Sequence, residues 1–394
     1  GKNNLGNKIM HPYLLVIWAL IVLDITNEMD SSCLLRHQCA KVGGAQTAPN
    51  ERGGVPMNVT TIGIDLAKNT FSLCGSNVHG KVLFRKTLQR DKLLAFIAQQ
   101  PPCLIGMEAC SGAHYWARQF QSLGHTIGIM APKFVTPFRK GGKNDSNDAA
   151  AIAQAVAHPE MHFVTVKSAE QQAALCLHRL REGLVADRTA QVNRLRGLLS
   201  EFGIVIPQGF SEAKRAIPAI LDDGNNALPV LARRLLRDAY DHLEHIHQQV
   251  LAYDREIESI ARLNEDAKRL TAIPGIGPIT ATALLATVGD FKQFQNGRQF
   301  AAWLGLTPRQ YTTGGKTRLG RITKRGDVYL RTLLIHGSRS VVARREQKLD
   351  AVGHWIKALV NRAGFKRAAV ALAAKQARMV WAIMTKQSEY IAVM

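Results

Sequence analysis

Acidic residues are scarce. Thirty Asp and Glu stand against 51 Lys and Arg in 394 residues, which leaves a formal net charge of +21 and a pI near 10.0. Hydrophobic content of 46% and charged content of 21% are ordinary for a globular chain, so the imbalance calls for a polyanionic partner, with nucleic acid ahead of an anionic membrane surface. Cysteine is sparse as well. Cys33, Cys39, Cys74, Cys103, Cys110 and Cys176 form no C-x-x-C pair and no zinc-like spacing. Cys33, His37 and Cys39 make only half a metal site, and a reducing cytoplasm fits this usage. No long hydrophobic run is present. The apolar stretch over 13–22 is too short to span a bilayer, Asp24 interrupts it, and no small-x-small cleavage site follows. No membrane association is expected, and residues 1–57 read as an extension outside the fold, with Met57 directly before the first predicted strand. Internal repeats and long low-complexity segments are absent. A phosphate-binding P-loop is absent too, because Gln310 stands where Gly314-Gly315-Lys316-Thr317 would need a glycine.

Four of the few acids sit where a metal-dependent nuclease needs them. Asp65 ends the β-prone run Thr60-Thr61-Ile62-Gly63-Ile64, and Glu108 ends a second, Cys103-Leu104-Ile105-Gly106-Met107. Asp145 and Asp148 are spaced to project from one face of a helix start. Singly, each has a structural alternative: Asp65 as a helix N-cap, the pair as charges that complement a helix dipole. Jointly, carboxylates at strand ends plus this pair can clamp two Mg²⁺ about 4 Å apart, stabilising the attacking and leaving oxygens of a phosphodiester displacement. Lys68 is a candidate phosphate contact, whereas His114 reads as a solvated helix-start histidine.

The chain is long enough for two or three domains. Over 58–166 the pattern predicts strands at 60–64, 71–75, 82–88, 104–107 and 126–130, with helices at 91–99, 113–122 and 147–157. Early hairpin-like strands followed by helix–strand alternation indicate a mixed sheet covered by helices. Its strand ends are where open α/β sheets place their sites. Over 167–267 two long helical stretches flank the breaker Asp222-Asp223-Gly224-Asn225-Asn226. The second carries a heptad, Leu236, Leu243, Val250 and Ile257 at one position and Ala239, Ile246, Tyr253 and Ile260 three residues later. That seam is open to the preceding helix or to a second protomer, and a second protomer is the expectation. Residues 268–350 form a basic region, and 351–394 a basic helical tail.

Between Arg298 and Lys348 twelve basic residues face two acids, Asp327 and Glu346. Within this stretch Thr312 and Thr313 precede two glycines among Arg309, Lys316, Arg318, Arg321, Lys324 and Arg325. A hydroxyl on a turn ringed by cations can attack phosphorus, although a turn that bonds its own backbone through Thr is the simpler reading. Gly275-Ile276-Gly277 before a helix is similar to a helix-hairpin-helix turn, whose N–H groups face a phosphate; a tight helix–helix turn explains it equally.

The blocks Ile62-Gly63-Ile64-Asp65-Leu66-Ala67-Lys68, Gly106-Met107-Glu108-Ala109-Cys110-Ser111-Gly112 and Lys143-Asn144-Asp145-Ser146-Asn147-Asp148-Ala149 recur in a known family. So do Ile273-Pro274-Gly275-Ile276-Gly277, the stretch from Phe300 to Arg309, and Gly314-Gly315-Lys316. On these six ordered blocks the chain resembles the DEDD insertion-sequence transposases, which include the pilin-gene inversion recombinases. The resemblance implies an α/β plus α fold: an RNase H-like, resolvase-like domain, a helical coiled-coil linker and a mainly helical basic C-terminal transposase domain. It implies Asp65, Glu108, Asp145 and Asp148 as a Mg²⁺ tetrad and a C-terminal serine that links covalently to DNA. It also implies DNA as substrate, a structured guide RNA from the element, and a homo-oligomer, dimer or tetramer. The family serine is replaced here by Thr313, a more hindered β-branched hydroxyl. Either Thr313 attacks at a reduced rate, or the copy is defective, or Thr312 or a nearby serine such as Ser338 substitutes. A junction endonuclease using water, or a non-catalytic nucleic-acid-binding derivative, are the other functional readings.

Overall fold

The computed structural model describes residues 58–142, 144–347 and 350–391; the expected extension over 1–57, with Cys33, His37 and Cys39, lies outside the described residues. The chain opens with three strands, β1 (Thr61–Asp65), β2 (Thr70–Ser76) and β3 (Val82–Gln89). It then alternates through α1 (Arg90–Ala98), β4 (Leu104–Glu108), α2 (Ala113–Ser122), β5 (Thr126–Met130), the short α3 (Pro132–Val135), α4 (Asp145–Val156) and β6 (Phe163–Val164). One sheet results, in the order β3-β2-β1-β4-β5-β6. β1 runs parallel to β4 and β4 to β5, while the pairs β1–β2, β2–β3 and β5–β6 are antiparallel. This is the mixed, RNase H-like sheet expected.

Side chains alternate across a strand, and here the two faces differ sharply. Ile62, Ile64, Ile105, Met107 and Ile129 bury one face beneath α1 and α2, against Leu93, Ile97, Trp116 and Phe120. The opposite face is nearly bare. Gly63, Gly106 and Gly128 stand side by side across β1, β4 and β5, and α4 lies directly on them.

Two long helices follow, α5 (Ala169–Ser200) and, after α6 (Phe210–Asp222), α7 (Val230–Leu263). A capping box starts α5: Ser168 Oγ accepts from the Gln171 N–H and Gln171 Oε1 accepts from the Ser168 N–H. The heptad seam on α7 is filled within the chain. Leu236 and Leu243 pack with Val192, Leu195 and Leu199 of α5 and with Ile217 and Leu221 of α6. Gln191 Nε2 donates to the Ala239 carbonyl at 2.7 Å and Arg181 Nε meets Asp254 Oδ1 at 2.5 Å, so the two helices run antiparallel. The preceding helix, rather than a second protomer, therefore occupies this seam.

Beyond it come α8 (Glu265–Thr271), α9 (Pro278–Val288), α10 (Gly297–Trp303), the hairpin β7 (Pro308–Thr313) and β8 (Lys316–Ile322), α11 (Val328–Ala343), α12 (Ala351–Ala363) and α13 (Phe365–Lys386). Leu270, Ile273, Leu284, Phe300, Leu330 and Val380 share their core. His178 of α5, 1% exposed, docks against this unit, with Nδ1 at 3.1 Å from Tyr329 Oη and Nε2 at 3.0 Å from Thr282 Oγ1. Burial, then the charges of Arg181 and Arg179, lowers its pKa to about 4. A base with a depressed folded pKa contributes its stability fully above its unfolded value near 6.5 and loses it as pH falls toward 4. His178→Gln should accordingly flatten the loss of thermal midpoint between pH 7 and 5. An unchanged slope would mean the imidazole does not titrate in this junction. Among the described residues no helix is long and apolar enough to cross a membrane.

Candidate active site

The bare sheet face decides where the acids go. A Cβ built on Gly63 would lie 2.3 Å from both the Ala149 carbonyl oxygen and the Ala153 nitrogen, so the backbone of α4 rests on β1 itself. On Gly106 it would meet Val156 at 2.7 Å and Ile152 at 3.2 Å. The alanine-rich face of α4, with Ala149, Ala153 and Ala155 buried, permits that approach. Period-two alternation puts Asp65 on the Gly63 face and Glu108 on the Gly106 face. One helical turn before Ala149 and Ile152 come Asp145 and Asp148. The glycine stripe thus seats α4 across β1 and β4, with its first turn beside Asp65 at the carboxyl end of β1. Asn144 caps that turn, accepting from the Asn147 N–H at 2.8 Å, and the helix dipole favours anions there.

The electrostatics report the same convergence. The Asp65 carboxyl is pushed up to about 6, first by burial, then by the negative charges of Asp148, Asp145 and Glu108, with Arg139 opposing. The Cys110 thiol is raised by burial and next by Asp65 and Glu108. Asp148, 9% exposed, meets Arg139, whose Nε lies 2.5 Å from its Oδ1. That contact is an ion pair rather than an aligned hydrogen bond, since both atoms are buried without a correctly directed partner. Among the described residues no three His, Cys, Asp or Glu side chains close around a common point. The donor set nevertheless suits a hard divalent cation: four carboxylates, one carrying a buried oxygen that lacks a directed hydrogen bond. Arg139→Gln should raise the Asp65 pKa beyond 6, because only the opposing charge is removed; a lower value by NMR titration would contradict this assignment of causes.

The C-terminal cations stand on a separate two-stranded sheet. β7 and β8 pair Tyr311 with Arg318, Thr312 with Thr317 and Thr313 with Lys316 around the Gly314-Gly315 turn. Both glycines have positive φ, 57° and 74°, as a two-residue hairpin turn of matching twist requires. The segment read from sequence as a turn bonding its own backbone is thus a hairpin tip. Alternation places Thr313, Tyr311, Lys316 and Arg318 on one face, and Arg309, Arg321, Lys324 and Arg325 are also exposed. Thr312 Oγ1 accepts from Gln310 Nε2 at 3.1 Å and lies 3.2 Å from Thr317 Oγ1. Ser338 is 0% exposed and donates to Gln376 Oε1 at 2.6 Å, so it is no substitute nucleophile. Arg331, one of the twelve basic residues of this region, points inward and donates to the carbonyls of Leu304 and Arg325, fixing the hairpin's base.

Other expected contacts fall variously. Lys68 is exposed in the loop after β1, and its carbonyl accepts from Arg90. His114 is half-buried rather than solvated: Nδ1 accepts from the Lys167 N–H at 3.3 Å, and Nε2 lies 3.3 Å from Lys167 Nζ. Burial and then the charges of Lys167 and Arg118 lower its pKa to about 4. Gly275 has φ of +90° and faces the Gly337 carbonyl and Gln376, which accounts for it by packing, while Gly277 is exposed at the N-cap of α9. Sequence reasoning passed over Arg139 and the glycine stripe. The stripe left a signal, the repeated Ile-Gly pair in Thr61-Ile62-Gly63, Leu104-Ile105-Gly106 and Thr126-Ile127-Gly128.

Comparison with known proteins gives consistent matches. Residues 62–204 match the DEDD transposase model of the IS110 type, and residues 267–353 match that of the transposase IS116/IS110/IS902 family. The chain is 46% identical over 335 residues to a probable family 20 transposase of Pseudomonas aeruginosa, covering 85% of this chain and 99% of that protein. It is 40% identical over 333 residues to the transposase for insertion sequence element IS1111A of Coxiella burnetii, covering 84% and 92%. A pilin gene-inverting protein of Moraxella bovis is 26% identical over 275 residues, covering 66% of this chain and 75% of that protein.

Proposed function

The chain belongs to the IS116/IS110/IS902 family of transposases, and from that premise we propose that it moves an insertion sequence by divalent-metal-dependent strand exchange, using a hydroxyl of its own as nucleophile. The observation that carries this reading is that Asp148 and Asp145, in the first turn of α4, and Glu108, at the end of β4, lie near enough to the half-buried Asp65 for their charges to add to burial in raising its carboxyl to about 6. These four carboxylates would hold Mg²⁺, two ions being the natural number for this many hard donors. When bound, the metal supplies charge stabilisation at the transferring phosphoryl group.

The protein's own residues do the rest. Arg139 holds Asp148 toward the cluster and offsets its charge until a cation arrives. Lys68 and the hairpin cations Arg309, Lys316, Arg318, Arg321, Lys324 and Arg325 bind DNA phosphates, with the backbone N–H groups near Gly277 as a further contact and Gly275 keeping that turn tight. Thr313 stands opposite Lys316 on the hairpin face that also carries Arg318, and would present its hydroxyl there. Its oxygen forms a bond to phosphorus as the strand oxygen leaves and takes up a proton, so the phosphodiester is exchanged rather than hydrolysed. A structured RNA from the element would guide both DNA partners, and the protein would work as a homo-oligomer.

Recombination on a two-site plasmid, with the element's flanking RNA present, tests both halves of the site. Asp65→Ala and Thr313→Ala should each abolish exchange, and Thr313→Ser should raise it, since a primary hydroxyl is less hindered. Cleavage by Thr313→Ala without a protein–DNA adduct would favour a hydrolytic junction nuclease instead. Metal-independent binding with no cleavage by any variant would favour a non-catalytic derivative. Exchanging Lys316, Arg318 and Arg321 for Gln should lessen the salt dependence of DNA binding by about 0.9 in log–log slope for each phosphate no longer neutralised.

A further inference from the structure

The loop after Asp65 and the first turns of α1 and α2 also wall an open cavity of about 580 Å³, within the range of small-ligand clefts, that the strand-exchange machinery does not use. Trp116, 5% exposed, forms its floor, edge-on to Phe71 at 5.3 Å and to Tyr115 at 5.2 Å. The Arg90 guanidinium lies over the Trp116 ring at 5.3 Å and is tied to the Lys68 carbonyl at 3.3 Å. Tyr115 is 45% exposed at the mouth. Asn69, Gln89, Asp91 and Leu94 complete the lining, and among the described residues no ion pair engages Arg90 or Asp91. The pairing of Thr70 with Gln89 and of Asp65 with Ser72 puts this cavity at the acid-bearing end of the sheet, on the α1/α2 side.

We propose that this cavity takes an unpaired base of the DNA strand, stacked between Tyr115 and Arg90 and read by Asp91. An exposed aromatic ring, a guanidinium plane held by a second ring, one carboxylate and two carboxamides together suit a flat heterocycle carrying N–H donors. The protein's net charge of +21 supplies the attraction for the flanking phosphates. Guanine is the preferred base, because its N1–H and exocyclic amine present two parallel donors to one carboxylate. A strand whose phosphate reaches the acids then turns its neighbouring base over the rim of the sheet. The choice of DNA rests on the proposed function; the base site itself does not.

The test uses the full chain in EDTA, so that binding is read without cleavage. The probes are a blunt DNA duplex and the same duplex with a short single-stranded end carrying 2-aminopurine, guanine or inosine. Wild type should quench 2-aminopurine at one position of the unpaired end and prefer guanine to inosine. Tyr115→Ala should weaken the unpaired-end probe about tenfold and leave the blunt duplex unchanged, with Tyr115→Phe like wild type. Asp91→Asn should equalise guanine and inosine, and Arg90→Gln gives an independent stacking variant if Tyr115→Ala fails to fold. Equal weakening of both probes, or of neither, overturns the proposal, and so does a tighter, Tyr115-dependent fit to an RNA end of the same sequence. Base binding without strand exchange would fault the catalytic reading alone, whereas exchange with both probes bound alike would fault this one alone.

Discussion

Asp65→Asn is expected to lower strand exchange by on the order of 10²–10³-fold, the scale of losing one preorganised charge at a reacting phosphate, while making the metal-free protein harder to melt at pH 7.5. The two effects have one cause. The Asp65 carboxyl is raised to about 6 by burial and by three neighbouring acids. For an acid whose folded pKa lies above its unfolded value, the stabilising contribution is complete below the unfolded value of 3.8 and is lost as pH rises through 6. At pH 7.5 the ionised carboxylate therefore works against the fold, and the neutral amide removes that strain. Asp65 is only half buried, so solvent screens much of the penalty, and a rise of about 2 °C in the thermal midpoint is the scale to expect. Calorimetry with and without Mg²⁺ separates the consequences: added Mg²⁺ should stabilise wild type and leave Asp65→Asn nearly unaffected. If Asp65 holds the metal, Mg²⁺ and the proton compete for its carboxylate, so wild-type exchange should need more Mg²⁺ as pH falls below about 6. A midpoint that falls in Asp65→Asn, or equal stabilisation by Mg²⁺ in both, would mean that the four acids do not share one electrostatic site.

Much of this arrangement was legible because it is local. An apolar β-prone run that stops at an acid marks both a strand and its end, and β1 and β4 end at Asp65 and Glu108 as read. The α7 heptad was legible for the same reason, being a period along one helix. Its partner was not, because α5 and a second protomer present the same kind of apolar stripe to a seam, and only the antiparallel contacts Gln191–Ala239 and Arg181–Asp254 distinguish them. The hairpin of β7 and β8 escaped because its strands are almost wholly exposed, so no apolar alternation marks them. His114 misled because its environment comes from Lys167 and Arg118, distant in sequence or on another turn. Arg139 precedes the helix in an irregular segment, and nothing near it in sequence announces a partner in Asp148.

The glycine stripe is the most consequential of these non-local features, and Gly63→Ala should expose it. At this position the new methyl would lie 2.3 Å from the Ala149 carbonyl oxygen and the Ala153 nitrogen, both backbone atoms of α4. Backbone in mid-helix cannot swing aside as a side chain can, so the whole helix must lift, at a cost of more than about 3 kcal/mol and about 6 °C or more in midpoint. Lifting α4 also carries Asp145 and Asp148 away from β1, so exchange should vanish in any molecules that still fold, and the Asp65 pKa should drop from about 6. Gly128→Ala meets Phe163 and Val156 side chains at 2.6 Å, which can shift, and should cost only about 1–3 kcal/mol. Gly183→Ala, inside α5 with nothing within 4 Å, should be stabilising by up to about 1 kcal/mol through helix propensity alone. The ranking is decisive: if Gly63→Ala is no worse than Gly183→Ala, α4 does not rest on β1, and the acids it bears are not held over the strand ends.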